Sequence, residues 1–207
     1  FHVEADRAGA EYSATWLGSW TDTKPLKLKN LRVKNFECII SEGPWFHDVT
    51  NTVIGKNPRF EPQVLYGIDH WARRITRIGD LSLTGHHGLA VGDVNGDGLE
   101  DLYVCDGGSL PNQLYLQQTD GTAKEVALDW GVAWLEDSRS ALFVDLDDDG
   151  DQDLVVATIA MIAFAENLDN QAFKLRGGFP GAPYPFSLSA ADFDLDGDLD
   201  IYTCIYG

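Results

Sequence analysis

Short apolar runs alternate with acidic, glycine-containing loops over residues 81–207. Each of three such loops is entered by one run and left by another, at residues 89–91 and 102–104, 141–144 and 154–157, and 189–191 and 201–203. Short runs bounded by turn residues predict β-strands. Two further runs follow each of the first two loops, at residues 113–116 and 124–128 and at 162–165 and 172–175. About four strands in each period of roughly 50 residues are typical of β-propeller blades.

The first 80 residues follow a different pattern. Residues 26–36 alternate apolar and basic positions, which predicts a strand pair with a turn near Lys29 and Asn30. Apolar residues then recur at spacings of three and four over residues 62–78, which predicts an amphipathic helix. We therefore expect a mainly β fold. A partial β-propeller of four-stranded blades would occupy residues 81–207, preceded by a small mixed α/β segment of unknown role over residues 1–80.

The negative charge is concentrated in the repeats. The chain has a net charge of −18, yet residues 1–80 carry 11 Lys or Arg against 10 Asp or Glu. Residues 81–207 carry only 4 Lys or Arg against 23 Asp or Glu. Such an acidic surface repels nucleic acid and anionic membranes. Because no run of about 18 apolar residues is present, the sequence also predicts no membrane span.

The three loops share one nine-residue phrase, acid-x-acid-x-acid-Gly-x-x-Asp, with an amide at a single acid position. Their first aspartates lie 52 and 47 residues apart. Calcium takes about six to eight oxygen ligands in flexible geometry, and the glycine at position six allows a sharp bend. We therefore predict about three Ca²⁺ sites, formed by the side chains at positions one, three, five and nine and the carbonyl at position seven: Asp93, Asn95, Asp97, Leu99 and Asp101; Asp145, Asp147, Asp149, Asp151 and Asp153; Asp192, Asp194, Asp196, Asp198 and Asp200.

The main alternative is the EF-hand, which opens with the same phrase. Its twelfth position holds a bidentate glutamate at the start of a helix. The loops here have Val104, Val156 and Thr203 at that position, each within a run of strand-forming residues. The EF-hand is therefore excluded. Three acidic β-turns without a metal are the other alternative, although their clustered carboxylates would repel one another.

Three segments of the repeats carry a resemblance to a known family. They are Gly-Leu-Ala-Val-Gly-Asp-Val-Asn-Gly-Asp-Gly-Leu-Glu-Asp-Leu-Tyr-Val at residues 88–104, Leu-Pro-Asn-Gln-Leu-Tyr at 110–115 and Trp-Gly-Val-Ala at 130–133. Residues 88–207 resemble the FG-GAP/VCBS repeats of integrin-α-like β-propellers, and more closely those of secreted proteins of the cartilage-acidic-protein and ASPIC/UnbV type. The resemblance implies a calcium loop between two strands of each blade. It also implies further blades, from another chain or from the rest of a longer protein.

Other polar residues do not form a catalytic or zinc-binding set. His86 and His87 precede the first loop, but no residues at suitable spacing complete a zinc site or a nucleophile–base pair. Asp137, Ser138 and Ser140 have no histidine nearby in the sequence and are expected to be turn residues. We therefore predict no catalytic residues and no enzymatic activity in this chain.

The cysteine and tryptophan residues give structural predictions. Cys105 and Cys204 each follow the last loop aspartate by four residues, where the second repeat has Ala157. This pattern predicts a small buried strand position with free thiols, rather than a disulfide. Packing in a core or between domains is favoured over sugar stacking for three tryptophans of the first segment, Trp16, Trp20 and Trp45.

These observations predict a secreted, extracellular or periplasmic module for interaction or adhesion. Calcium would stabilise each blade, and the partner would be a protein or a glycan. Two alternatives stay open: a structural subunit of an envelope or extracellular assembly, and a scaffold for an enzyme whose active site lies outside this chain. The sequence starts at Phe1 and ends at Gly207 within an expected strand, so we expect it to be part of something longer.

Overall fold

The structure is a computed structural model that describes residues 10–40, 46–66, 70, 87–107, 110–180 and 185–205. The chain divides into two compact units, residues 1–49 and residues 50–207. Strands dominate both units, as the sequence predicts. Within the described ranges, no helix is both long and apolar enough to cross a membrane. The predicted domain boundary between residues 80 and 81 falls outside the described residues and stays a prediction.

The first unit contains an antiparallel pair of long strands, β1 (Ala10–Trp20) and β2 (Leu28–Ile40). The predicted turn near Lys29 and Asn30 is wrong, because β2 runs through both residues. The turn lies earlier, where the backbone N–H of Thr21 donates to the carbonyl of Lys27 at 2.8 Å. The alternation of residues 26–36 identified a strand correctly, but it could not show that the partner strand precedes it.

Two other predictions for the first 80 residues concern the tryptophan side chains and the helix over residues 62–78. Trp16 and Trp20 are 48% and 58% exposed, so neither packs in a core, and packing between domains stays a prediction. Trp45 lies outside the described residues, as does most of the helix predicted over residues 62–78. The described start of that segment forms a π-helical turn instead, over Phe60–Val64.

The second unit contains two four-stranded antiparallel sheets and one two-stranded sheet. Each four-stranded sheet is a meander in which consecutive strands pair, as in a propeller blade. The arrangement is open rather than a closed propeller.

Blade one comprises β3 (Leu89–Gly92), β4 (Asp101–Val104), β5 (Gln113–Gln117) and β6 (Ala123–Glu125). Blade two comprises β7 (Ser138–Val144), β8 (Asp153–Thr158), β9 (Met161–Leu168) and β10 (Ala172–Pro180). Half-blade three comprises β11 (Pro185–Ala191) and β12 (Asp200–Ile205).

A short helical segment covers the outer edge of blade one. It contains α1 (Thr50–Ile54) and the π-helical turn. Between them, the Asn57 side chain donates to the carbonyl of Ala123 and accepts from the N–H of Glu125, both at 2.8 Å. These backbone groups belong to the edge strand β6 and would otherwise be open to pairing with another strand. The Asn57 side-chain amide therefore supplies hydrogen-bond partners for two backbone groups at the edge of the blade.

The hydrophobic core lies between the blades, and β8 contributes to both of its parts. Leu154 and Val156 pack in a cluster shared with blade one, which includes Tyr103 and Leu114. The alternate residues of β8, including Val155, pack in a second cluster with half-blade three. Successive side chains of a strand point to opposite faces, so a strand between two blades is buried on both sides. This explains the continuous apolar run of β8.

A buried polar network also joins blades one and two. The Asn112 side chain is fully buried and donates to the Tyr103 hydroxyl at 2.9 Å and to the Ser138 hydroxyl at 2.8 Å. The Ser138 hydroxyl in turn donates to the carbonyl of Glu136 at 3.0 Å. Buried polar groups are stable only when they are bonded in this way. Ser138 is thus engaged in a structural network. Ser138 and Ser140 both lie in β7, so the expectation that they are turn residues is wrong.

The cysteine prediction is correct for two of the three equivalent positions. Cys105 and Ala157 are buried, and burial raises the pKa of the Cys105 thiol to about 12. Cys204 is exposed, because half-blade three has no third strand or neighbouring blade among the described residues. All three cysteines are free, as predicted.

The two-sided burial of β8 gives a first testable prediction. Replacing the fully buried Leu154 with alanine should lower the free energy of unfolding by about 2–5 kcal/mol, because it leaves a cavity between the blades. Leu89→Ala is the matched control, since the Leu89 side chain is 61% exposed and should cost under about 1 kcal/mol. Urea denaturation followed by circular dichroism measures both. Equal losses would contradict the assignment of the core.

Candidate metal centres

Each of the three acidic loops lies between the first two strands of its blade. Loop one joins β3 to β4, loop two joins β7 to β8, and loop three joins β11 to β12. We number the positions of each loop from its first aspartate, so position one is Asp93, Asp145 or Asp192. The strands on either side of each loop pair in an antiparallel register that brings the ends of the loop together.

The backbone of each loop bends through the left-handed region at two positions. The glycine at position six has φ of 83° in loop one, 94° in loop two and 104° in loop three. Position four also has positive φ, in Gly96 (71°), Asp148 (58°) and Leu195 (63°). Such angles favour glycine and cost other residues free energy. The glycine at position six of the phrase indicated the bend there. Position four holds glycine, aspartate and leucine in the three loops, so the sequence did not indicate the bend at that position.

The carboxylate at position one binds the backbone of its own loop. In loop one, Asp93 accepts from the N–H of Asp97 at 3.0 Å and from that of Gly98 at 2.8 Å. Asp192 makes the same pair of contacts in loop three, at 3.1 and 3.2 Å. In loop two, Asp145 accepts from the N–H of Gly150 at 3.1 Å. These hydrogen bonds hold the first carboxylate inside the bend.

Carboxylates converge in loops two and three. One oxygen from each of Asp145, Asp147 and Asp149 lies within 4.8 Å of the others, and the same holds for Asp192, Asp194 and Asp200. Loop one has an amide at position three, and the Asn95 side chain donates to the Asp97 carboxylate at 3.0 Å. Asp196 accepts from the N–H of its position-seven residue at 3.0 Å, as Asp97 and Asp149 do in their loops. The structure therefore brings three carboxylates together in loop two and three in loop three.

The position-seven residues contribute through their backbones to the turn itself. The N–H groups of Leu99, Asp151 and Asp198 donate to the position-five carboxylates. The predicted role of their carbonyl oxygens as metal ligands stays a prediction. In loop two, the Asp151 side chain adds a carboxylate that the prediction did not use.

The carboxylate at position nine ties the loop to the sheet. Asp101, which is fully buried, accepts from the N–H of Val94 at position two, at 3.1 Å, and from that of Gln117 in β5, at 2.8 Å. Asp153 makes equivalent contacts, with Leu146 at 3.1 Å and with Asn167 in β9 at 2.8 Å. In loop three, the contact with position two recurs at 2.9 Å. Position nine, at the start of the second strand, thus ties its loop to the third strand of a complete blade.

Burial and neighbouring charges raise the pKa of several loop carboxyls. Burial raises the pKa of Asp101 and Asp153 above the ordinary range, although backbone N–H donors oppose this shift. Burial, followed by the adjacent Asp149, raises the pKa of Asp151 to about 6. A raised carboxyl pKa means that the charged form is disfavoured in this environment. Loops one and two therefore hold negative charge in an unfavourable environment, which a nearby cation would relieve.

Two buried carboxylate oxygens in loop two support this interpretation. Oδ1 of Asp145 and Oδ1 of Asp151 are inaccessible to solvent and have no hydrogen-bond partner in the described part of the chain. A buried acceptor without a donor is unfavourable. Calcium accepts coordination from such oxygens without needing a proton donor. The donor set of loop two therefore fits a hard divalent cation.

Asn167 joins two of the loops, and the sequence analysis did not identify it. Its buried side-chain amide donates to the carbonyl of Val94 in loop one at 2.9 Å and to that of Gln152 in loop two at 3.1 Å. Its backbone N–H is the one that donates to Asp153. An asparagine one residue after a hydrophobic strand segment is a common pattern, so it gave no specific signal. One side chain therefore connects loops one and two through hydrogen bonds to both backbones.

The position-nine contacts generate a prediction for the calcium-free protein. Asp101→Ala, studied in excess EGTA, should lower the free energy of unfolding by about 1–3 kcal/mol because the N–H groups of Val94 and Gln117 lose their acceptor. Asp97→Ala changes an exposed carboxylate of the same loop and should cost about 0.5 kcal/mol or less. Chemical denaturation distinguishes the two. If both variants lose the same stability, position nine has no structural role beyond metal binding.

Comparison with known proteins agrees with this geometry. The family described as FG-GAP-like repeat matches residues 93–156 and again residues 145–203, which together span more than half of the chain. Each match contains two complete loops. The chain is also 26% identical over 172 residues to cartilage acidic protein 1 of Xenopus tropicalis, a match that covers 70% of the chain. It spans about a quarter of that relative's length, 25%. With loops between the first two strands of each four-stranded blade, the chain belongs to the FG-GAP-like repeat family.

Proposed function

We propose that the chain is a calcium-stabilised extracellular interaction module. The observation that carries the proposal is the convergence of three carboxylates in loops two and three, together with the unpartnered buried oxygen of Asp145. The carboxylates repel one another in the absence of a cation. A divalent cation that binds only the folded loops would stabilise the fold by mass action.

The residues that would hold calcium are the side chains at positions one, three, five and nine and the carbonyl at position seven. Calcium suits this set because it accepts many oxygen ligands with variable geometry, whereas magnesium requires a compact octahedron. Bound calcium would supply positive charge to each loop. Position one is already oriented by the loop backbone, and position nine is already anchored to the sheet. The chain would therefore need little rearrangement on binding.

The three loops should differ in affinity. Loop two has carboxylates at all four side-chain positions and a fifth carboxylate in Asp151, whereas loop one has the neutral Asn95 at position three. Affinity for calcium rises with the number of charged ligands. We therefore rank loop one below loop two. Extracellular modules bind calcium with dissociation constants of about 0.1–1 mM, which calcium outside the cell saturates.

A secreted or periplasmic location follows from the same proposal. Weak calcium sites of this kind are filled where calcium is abundant, and the relative in Xenopus tropicalis is named a cartilage acidic protein. The partner would be a protein or a glycan. The acidic repeats, with 23 acidic against 4 basic residues over residues 81–207, disfavour nucleic acid. We propose a binding role rather than an enzymatic one because Ser138, which the sequence places beside Asp137 and Ser140, is engaged in a structural hydrogen-bond network.

Calcium removal tests the proposal directly. Addition of about 10 mM calcium to the EGTA-treated chain should raise the melting temperature by at least about 5 °C, because each occupied site contributes about 1–3 kcal/mol. The same concentration of magnesium should give a clearly smaller shift. Differential scanning calorimetry measures both. A melting temperature that does not respond to calcium would reject the proposal.

A single substitution should remove one ion. Asp149→Ala deletes one of the three converging carboxylates of loop two, so the variant should bind one calcium fewer than the parent chain. Asp129→Ala, which changes an exposed aspartate outside the loops, is the matched control and should keep every ion. Native mass spectrometry counts the bound ions. An unchanged count in Asp149→Ala would show that loop two is not a calcium site.

A further inference from the structure

A small cavity lies at the edge of blade two that is remote from loop two. Its volume is about 190 Å³. It is lined by the connection between blades one and two and by the β8–β9 turn with adjoining strand residues: Trp134, Glu136, Thr158, Ala160, Met161, Ala163 and Leu175. The full length of β8, roughly 17 Å, separates this edge from the acidic loop. The cavity is therefore distinct from the candidate metal centres.

The walls of the cavity are apolar, and its polar groups are already bonded. The Trp134 indole N–H donates to the carbonyl of Gly131 at 3.1 Å. The Thr158 hydroxyl donates to the carbonyl of Met161 at 2.9 Å and accepts from backbone N–H groups of the turn. The side chains of Trp134, Met161 and Leu175 therefore present hydrocarbon, sulfur and ring surface to an occupant. Thioether and indole groups are adaptable contacts for aliphatic chains.

One charged group borders this apolar surface. The Glu136 side chain is exposed, and within the described ranges no basic side chain lies within 4.0 Å of its carboxylate. The next residue differs, because Asp137 is buried and paired with Arg139 at 3.3 Å. Glu136 thus supplies a negative charge at the mouth of an apolar cavity. An occupant that complements both features has an aliphatic body and a positively charged end.

We propose that this cavity binds a lysine side chain of a protein partner. The four-carbon stem would lie against Met161 and Leu175, and the ammonium group would stay at the rim beside Glu136. Lysine binds in this way elsewhere, with its stem on apolar surface and its charge in water. The volume suits one side chain, since sites for drug-sized ligands run to about 300–1,000 Å³. The inference rests on the proposed interaction role and specifies a partner chemistry for it.

Lysine fits better than arginine because Glu136 is the one carboxylate that lines the cavity. A guanidinium presents five N–H donors in a rigid fork, and one carboxylate accepts from at most two of them at once in the bidentate geometry. The hydroxyl of Thr158 is already engaged, so the other N–H groups of a guanidinium would lie against apolar walls or in water. A compact ammonium needs one such contact and otherwise remains hydrated. An anionic partner is disfavoured by the surrounding acidic repeats.

An NMR titration of the calcium-saturated chain tests the proposal. The probes are two blocked tripeptides, acetyl-Gly-Lys-Gly-amide and its norleucine counterpart, which has a similar aliphatic stem but no charge. The lysine peptide should shift the signals of the Trp134 indole N–H and of the Ala160 and Met161 amides. The norleucine peptide should bind about three-fold more weakly, the size of effect expected for an exposed ion pair.

Matched variants test whether Glu136 is the charged group that contacts the lysine peptide. Glu136→Gln keeps the shape of the side chain and should reduce the affinity for the lysine peptide to that for norleucine. Glu61→Gln, at an exposed glutamate of the π-helical turn, should leave both affinities unchanged. Equal binding of both peptides to the parent chain, stronger binding of an arginine peptide, or no signal shift at the cavity would each overturn the proposal. Since the titration uses calcium-saturated protein, such a failure leaves the calcium result intact.

Discussion

The buried aspartate at position nine of loops one and two is the contact on which the two complete blades depend. In the two complete blades, its carboxylate accepts one N–H from position two of the loop and one N–H from the third strand. A single side chain thereby fixes the hairpin, the loop between its strands and the next strand of the sheet. The arrangement is costly because burial raises the pKa of Asp101 and Asp153. The other carboxylates of each loop add to the local negative charge. A cation in the loop would offset this repulsion and strengthen the same contact.

The packing of the blades connects the candidate metal centres to one another. Strand β8 is buried on both faces, with Leu154 and Val156 toward blade one and Val155 toward half-blade three. At the end of β8 near the loops, the Asn167 side chain binds carbonyls of loops one and two. Calcium binding to one loop would therefore stabilise the interface as well as the loop itself. If calcium binds as proposed, this coupling would let weak individual sites stabilise the whole unit.

The sequence predicted the repeats well because two independent patterns coincide there. The acidic phrase predicted the positions of the loops, and the apolar runs beside them predicted the strands. The strands β3, β4, β7, β8, β11 and β12 all lie where expected. Local patterns do not specify distant partners. For this reason the turn near Lys29 and Asn30 was wrong, although the strand itself was correct. Cys204 was expected to be buried by analogy with Cys105, but burial depends on neighbouring strands rather than on the residue. The sequence also did not show that the position-nine aspartate is a structural hydrogen-bond acceptor as well as a predicted ligand, because an aspartate suits both roles.

The candidate site could be predicted in composition but only partly in geometry. Spacing identified fifteen residues of the three loops as potential ligands, whereas the structure groups three carboxylates in each of loops two and three. The cavity beside Trp134 had no sequence signal at all, because its lining comes from separate strands and connections. A cavity of this kind forms only when the strands and connections of the blades assemble. Blade two thus has an acidic loop at one edge and an apolar cavity at the opposite edge.

Residue-resolved hydrogen exchange, with and without calcium, tests the central claim most directly. The claim is that position nine anchors each complete blade and that calcium completes the loops. It predicts that the amides of Gln117 and Asn167 are protected in both states, because the Asp101 and Asp153 carboxylates bind them without metal. It also predicts that calcium slows exchange throughout residues 93–101, 145–153 and 192–200. Rapid exchange of Gln117 and Asn167 without calcium, or loops that exchange at the same rate in both states, would contradict it.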